Sequence, residues 1–340
     1  MKFLVIGLGS MGKRRVRNLI ALGYKESVIG FDLRDDRRKE AEEYGIVTYN
    51  DFDTAISEVN PDTFMISTPP NFHMHYAQFA ENNGIHCFIE ASVVDSEKIL
   101  ELSKKVTNKN IIMAPSCTMR YYPGSIKIKE LINDDKIGKI LNFNYHTGQY
   151  LPDWHPWEKI EDFYVSNADT GAAREIVPFE LTWINDIFGD SKPLACVRRK
   201  LTDMPADIED IYHCILEYPE NVIGNITVEV ISRPKAVREF RVLGSKGEIV
   251  FSADSNSVKY INTDMKDWKE FLFDEGTVES GYINPEEPYI NEVRDFVNSI
   301  DLILDNKKSV YPNTLEDDYK ILQTLYKLEE ISEGKNDLSR

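Results

Sequence analysis

Gly7-x-Gly9-x-x-Gly12 follows a short apolar run directly and opens a helix-length segment, and an acid, Asp32, stands twenty residues beyond Gly12. Each residue type answers a need of a dinucleotide. Gly7 permits a tight turn, Gly9 lets the backbone approach a pyrophosphate, and Gly12 allows a helix to pack closely on a strand. The loop residues Ser10 and Met11 lie where a helix N-terminus offers unpaired N–H donors and positive potential, so they are read with the glycines as cofactor-binding. Asp32 would accept hydrogen bonds from the ribose hydroxyls and repel a 2'-phosphate, which favours NAD. Arg34, two residues on, is a candidate to pair that phosphate, so NADP stays open. Lys13, Arg14, Arg15 and Arg17 crowd the first turns of the helix, where its dipole disfavours cations. Either a nearby anion offsets that cost or the four form a solvated basic face.

A second set of chemical side chains lies between residues 148 and 180. The stretch from Gly148 to Glu158 holds Gln149, Tyr150, Asp153, Trp154, His155 and Trp157, with Tyr164 a little further on. Its aromatic rings could stack on the apolar faces of a sugar while Gln149, Asp153 and His155 bond the hydroxyls; the alternative is that Trp154 and Trp157 plug an interface. His155 is the first candidate for general acid/base work, with Tyr164 and Glu175 behind it. Arg174 and Glu175 either orient a sugar or form a salt bridge, and Glu180 is a candidate partner for Arg174. His213 and Cys214, adjacent in a strand, point to opposite faces and make no metal pair. Cys87, Cys117, Cys196 and Cys214 show no metal-ligand spacing, so free thiols in a reducing cytosol and no metal site are expected.

The elements that must position these groups follow from hydrophobic periodicity. Phe3 to Ile6, Ser27 to Phe31, Thr63 to Ser67, His86 to Ile89 and Ile111 to Ala114 are short apolar runs separated by amphipathic segments. Strands apolar on both faces and joined by helices form a parallel sheet covered on both sides. After Pro123 come a helix and then alternating strands with short turns, such as Lys139 to His146, Asp210 to Tyr218 and Val222 to Ile231. That texture predicts an open, mainly antiparallel sheet of an α+β domain, with one buried helix from Gly171 to Gly189. The expected division is an α/β doubly wound domain over residues 1–122 and an α+β substrate and oligomerisation domain over 123–340, whose last helix packs back on the first. That helix opens at a capping box, Thr314-x-x-Asp317, and is expected to stop at Gly334.

The chain has 340 residues and carries a formal net charge of -17, with 42% hydrophobic and 29% charged residues. Disorder, nucleic-acid coating and an anionic membrane surface are disfavoured partners for such a composition. No run approaches the ~20 apolar residues a membrane span needs.

Further local signatures carry a resemblance. Ser67-Thr68-Pro69-Pro70-Asn71-Phe72-His73 resembles the TPPxxH turn of the glucose-fructose oxidoreductase, inositol dehydrogenase and MocA family, and Arg120-Tyr121-Tyr122-Pro123 resembles its R-x-x-P crossover. The resemblance covers nearly the whole chain. It implies a Rossmann domain followed by an open-faced sheet domain, a hydride moved to or from a sugar or cyclitol carbon, and a homodimer or homotetramer packed through the sheets. It assigns Ser67, Thr68, Pro69 and His73 to the nicotinamide side of the cofactor and Glu90 to its ribose or amide, while Arg120, Gln149, Tyr150, Trp154 and Arg174 stand as the candidate substrate residues.

Two departures matter. The family's Glu-Lys-Pro reads Glu90-Ala91-Ser92 here, and where the family carries an Asp and a His four residues apart this chain has Glu175 and Phe179. Both usual proton-transfer groups are absent. The loop Tyr150-Leu151-Pro152-Asp153-Trp154 resembles a YLPDW segment in a branch associated with bacterial surface sugars. The expectation is a cytoplasmic NAD(P)-dependent oxidoreductase acting on a sugar, sugar nucleotide or related polyol, in surface-sugar biosynthesis. The alternatives are a non-catalytic NAD-binding paralogue that senses a ligand or binds a partner, and a reaction that uses NAD transiently with no net change.

Overall fold

A computed structural model describes residues 1–107, 109–154, 159–162 and 164–337. The chain forms two compact units, one built from Met1–Tyr121 and Gly276–Tyr319, the other from Tyr122–Glu275 and the residues from Lys320 on.

The first unit opens with strands and helices in alternation: β1 (Phe3–Ile6), α1 (Ser10–Ala21), β2 (Val28–Phe31), α2 (Asp35–Glu42), β3 (Val47–Tyr49), α3 (Phe52–Val59), β4 (Thr63–Ile66), α4 (His73–Asn83), β5 (His86–Ile89), α5 (Ser96–Val106) and β6 (Met113–Pro115). Its six strands pair in the order β3-β2-β1-β4-β5-β6, all parallel. Strand order reverses between β1 and β4, the switch point at which doubly wound sheets take ligands. Every residue of β1, β4 and β5 is buried, which is why these strands read as unbroken apolar runs. β3 escapes sequence reading because it is a three-residue edge strand with an exposed Val47.

The second unit continues with α6 (Pro123–Asn133), β7 (Ile140–Gly148), α7 (Ala172–Phe188), β8 (Lys192–Arg199), β9 (Ile211–Tyr218), β10 (Val222–Glu229), β11 (Val237–Gly244), β12 (Gly247–Ser252), β13 (Ser257–Asn262) and β14 (Lys269–Leu272). Eight strands form one sheet, β14-β13-β12-β11-β7-β10-β9-β8, antiparallel except for the β7–β10 pair. One face alternates inward. Phe143 stacks on Phe188 at 4.5 Å, and Trp183 meets Tyr145 and Phe240 edge-on at 5.4 and 5.2 Å, so α7 is clamped to the sheet by aromatic packing. Pro178 inside α7 removes one backbone donor without ending the helix, because the helix is held by this buried face.

The last elements correct the expected division. α8 (Glu287–Leu304) belongs to the first unit, where Val293, Phe296, Val297 and Ile300 join the core of Phe3, Val5, Val16 and Phe88. The segment from Gly276 to Tyr319 therefore returns to the Rossmann unit instead of staying with residues 123–340. α9 (Leu315–Asp337) starts at a true capping box: Thr314 Oγ1 donates to Asp317 Oδ2 at 2.7 Å and accepts from the Asp317 N–H at 3.2 Å. The helix runs through Gly334, since an exposed glycine costs only about 1 kcal/mol, too little to stop it.

Candidate functional site

The turn from β1 to α1 has the geometry its glycines demand. Gly7 lies at φ +86°, and a Cβ there would sit 2.8 Å from the Ser67 carbonyl oxygen; a Cβ on Gly12 would sit 1.8 Å from the Gly7 carbonyl oxygen. At Gly9 the nearest atom to an added Cβ is the flexible Arg37 guanidinium, 3.6 Å away. Gly9 is also the N-cap of α1 and supplies no side chain to its N–H groups. The result is an approach to helix N–H donors that no N-cap side chain occupies, bordered by the Arg37 guanidinium, which suits a pyrophosphate.

Asp32 is buried, and both of its oxygens are fixed by the backbone: Oδ2 accepts from the Leu8 N–H and Oδ1 from the Arg34 N–H, each at 2.8 Å. The carboxylate thus ties the glycine turn to the end of β2. Arg34 sends its guanidinium to Asp36 at the exposed start of α2. The cation beside Asp32 is Arg37, 3.8 Å from Oδ2, and Arg38 donates to the Asp32 carbonyl. Arg37 was not singled out by sequence reasoning; its signal is the helical spacing that carries α2 back past the carboxylate.

The basic run on α1 is offset by nearby anions of the protein itself and is not a solvated face. Glu286 accepts from Arg14 Nε and Arg17 Nη2, both at 2.9 Å, and from Asn18 Nδ2 at 3.0 Å. Arg14 lies over the Tyr282 and Tyr289 rings, and the Tyr282 hydroxyl donates to the Ser10 carbonyl at 2.7 Å. Arg15 is wholly buried, with Nε donating to Glu90 at 2.6 Å and Nη1 to Glu292 at 3.1 Å. Lys13 pairs with Glu40. No local pattern reveals Glu286 or Glu292, which enter from more than 260 residues away.

The β4–α4 turn contributes polar atoms of another kind. His73 Nε2 lies 2.8 Å from the Thr68 carbonyl; a carbonyl can only accept, so Nε2 carries the proton. Burial pushes the His73 pKa down, leaving the ring neutral with a bare Nδ1. That Nδ1 and the Thr68 hydroxyl are buried with no partner among the described residues. Orphaned buried atoms are costly, and a ligand amide or hydroxyl would satisfy both. Ser67 Oγ reaches Glu90 at 3.4 Å, Pro69 accepts from the Phe72 N–H at 3.0 Å, and Ala91 has no ionisable atom. Gly9, Asp32, Thr68 and His73 therefore fit a dinucleotide, whereas Glu90 is engaged by Arg15.

In the second unit, the chain leaving β7 keeps a short backbone pairing, with the Gln149 N–H donating to Glu229 O and the Leu151 N–H to Val230 O. Tyr150 lies beneath the Arg233 guanidinium, 3.3 Å from the ring centre. Trp154 follows a single turn at Leu151–Asp153, and its buried indole N–H has no partner among the described residues. His155, Trp157 and Glu158 lie outside the described residues. Tyr164 and Glu175 are brought together: the phenol donates to Glu175 Oε1 at 2.9 Å.

Two of the expected substrate residues have partners within the protein. Arg174 Nε donates to Glu329 Oε1 at 2.6 Å, and Arg120 is held by the Pro312 carbonyl and by Asn313. Glu180 is not the partner of Arg174. Fully buried, it accepts from Tyr145 Oη and Trp183 Nε1 at 2.7 Å and from Arg238 at 3.0 Å. The two side chains go to different partners, Glu180 to Tyr145, Trp183 and Arg238 and Arg174 to Glu329.

A doubly wound nucleotide-binding unit followed by a unit with a large, mainly antiparallel sheet is an architecture of dinucleotide-dependent oxidoreductases. Residues 1–113 match the oxidoreductase family with an NAD-binding Rossmann fold, and residues 125–250 match the GFO/IDH/MocA C-terminal domain. The chain belongs to the glucose-fructose oxidoreductase, inositol dehydrogenase and MocA family. D-xylose 1-dehydrogenase (NADP(+)) of Hypocrea jecorina is 25% identical over 236 residues, 63% of this chain and 59% of that protein. Levoglucosan dehydrogenase of Pseudarthrobacter phenanthrenivorans is 24% identical over 235 residues, 60% of this chain and 58% of that protein. The chain spans between 47% and 59% of the length of the curated relatives it matches. Among solved structures, levoglucosan dehydrogenase in complex with NADH and levoglucosan superposes with a TM-score of 0.82 at 18% identity, over 98% of this chain and 97% of that one. An inositol dehydrogenase homolog with NAD+ from Azotobacter vinelandii gives 0.81 at 13%, over 98% and 95%. These likenesses share the fold.

Proposed function

We propose that this protein is an NAD(P)-dependent dehydrogenase acting on a CH–OH group of a sugar or polyol. The observation that carries the reading is the cradle at Gly9 with Asp32 fixed beside it, supported by family membership and by relatives named as D-xylose and levoglucosan dehydrogenases. When bound, the nicotinamide supplies or accepts the hydride. The N-terminus of α1 would hold the pyrophosphate, Asp32 the adenosine ribose, and Thr68 and His73 the polar groups at the other end of the cofactor. The Asp32 carboxylate favours NAD, and the cation that would admit NADP is Arg37.

The expectation of surface-sugar substrates rests on the loop resemblance alone, and the wider class of sugars and polyols is the reading adopted. Cytoplasmic residence is supported by four buried free cysteines, and no described helix is long and apolar enough to cross a membrane. A homo-oligomer is supported by apolar side chains on the uncovered face of the large sheet, Val197 and Ile215 among them. The test is NADH binding followed by fluorescence, then NAD- and NADP-linked absorbance with D-xylose, levoglucosan and myo-inositol. Tight NADH binding with turnover of one of these supports the reading. Binding without turnover favours the non-catalytic alternative, and no binding defeats the assignment.

A further inference from the structure

The segment that returns to the first unit, residues 276–286, forms neither helix nor strand, yet it lies against α1 beside the glycine turn. Its Tyr282 hydroxyl donates to the Ser10 carbonyl at 2.7 Å. We propose that Tyr282 is a positioning residue for a pyrophosphate, acting through the Ser10–Met11 peptide to orient and strengthen the Met11 N–H as a donor; the inference rests on the dinucleotide reading. That peptide is trans, so its carbonyl and its N–H project to opposite sides. The carbonyl points along α1 and meets the phenol, while the N–H points out of the helix start toward the approach beside Gly9. As the second residue of the helix, Met11 has no intrahelical acceptor for that N–H.

The phenol is itself polarised. A carbonyl only accepts, so the one phenolic proton goes to Ser10, and the oxygen's lone pairs take Arg17, whose Nη1 donates at 3.5 Å. The Arg17 guanidinium also lies 4.4 Å from the ring centre and is fixed by Glu286 through Nη2 at 2.9 Å. A cation, a phenol and a peptide thus stand in series, and hydrogen bonds in series polarise one another. Backbone bonds within the segment hold the phenol in place: the Tyr282 N–H donates to the Glu279 carbonyl at 3.0 Å and the Glu286 N–H to the Thr277 carbonyl at 2.9 Å. Every residue of the series belongs to the first unit.

The experiment measures NADH, ADP and adenosine binding by calorimetry in wild type, Tyr282→Phe, Arg17→Gln and the double variant, with melting temperatures alongside. ADP keeps a diphosphate, whereas adenosine offers only the base and the ribose that Asp32 would hold. Tyr282→Phe removes one oxygen and leaves the ring against Arg14 and Arg17, so the melting temperature is expected to hold. NADH and ADP affinity should fall together by about three- to tenfold, the size of one hydrogen bond felt through a peptide, with adenosine affinity unchanged. The loss in the double variant should be smaller than the product of the two single losses, because both changes break the same series. Wild-type affinity for NADH and ADP in Tyr282→Phe overturns the proposal. So does an equal loss for adenosine, which marks a general distortion of the site, or full additivity in the double variant. A wild type that does not bind NADH defeats the dinucleotide reading itself, which separates the two failures.

Discussion

Carboxylates serve opposite ends in two regions of this chain. In the first unit, Glu292 is sealed from solvent and accepts from Arg15 Nη1 at 3.1 Å, Ser116 Oγ at 3.0 Å, the Cys117 N–H at 2.6 Å and Thr118 Oγ1 at 2.5 Å. In the second, Glu175 stays partly accessible and takes a phenol at its Oε1. The difference teaches how to separate structure from chemistry among like residues. A dry carboxylate whose lone pairs are all taken, with a cation on it, cannot change state without breaking the fold. A half-buried one bonded to a group that itself ionises can exchange a proton at little structural cost.

The sealed region is broken most directly by Glu292→Ala, which strands the buried Arg15 and several donors. A loss of about 3–5 kcal/mol in urea unfolding is expected. A loss below about 1 kcal/mol would mean that the network is adjustable after all.

Asp318 sharpens the same comparison, because burial pushes its pKa up to about 7. A carboxyl with a raised folded-state pKa binds its proton more tightly when folded. The stability it lends is complete below the unfolded value, about 4, and is lost as pH rises through about 7. Asp318→Asn should therefore match wild type in acid and exceed it by about 2 kcal/mol or more above neutrality, read from thermal melts across pH. Equal pH dependence in the two proteins would remove burial as the cause.

Two further effects concern the nucleotide end. Gly9→Val fills the approach to the N-terminus of α1 at a position where φ is ordinary and the near atoms among the described residues belong to the flexible Arg37 side chain. NADH affinity should fall by about 100-fold, roughly 3 kcal/mol, while the melting temperature holds. Unchanged affinity would defeat the cradle. Arg37→Ala should lower the NADP-to-NAD ratio of kcat/KM by about tenfold, and an unchanged ratio would return that role to Arg34.

The residues themselves determined most of the first unit and half of the candidate site. The fingerprint from Gly7 to Gly12 and the acid at Asp32 fall within one strand-helix-strand unit, and their spacing is dictated by local backbone geometry. Buried parallel strands announce themselves as apolar runs for the same local reason, and the edge strand β3 does not. Tertiary structure alone decided what the charges do. Arg14 and Arg15 find Glu286 and Glu292 more than 270 residues along, Glu180 turns to Arg238, and Arg174 turns to Glu329. Ion pairs of this kind depend on which helix faces pack together, and no sequence period encodes that. The Tyr164–Glu175 contact shows the boundary: both residues were legible as acid/base candidates, but only the backbone path through Thr170 and Gly171 brings phenol and carboxylate to 2.9 Å.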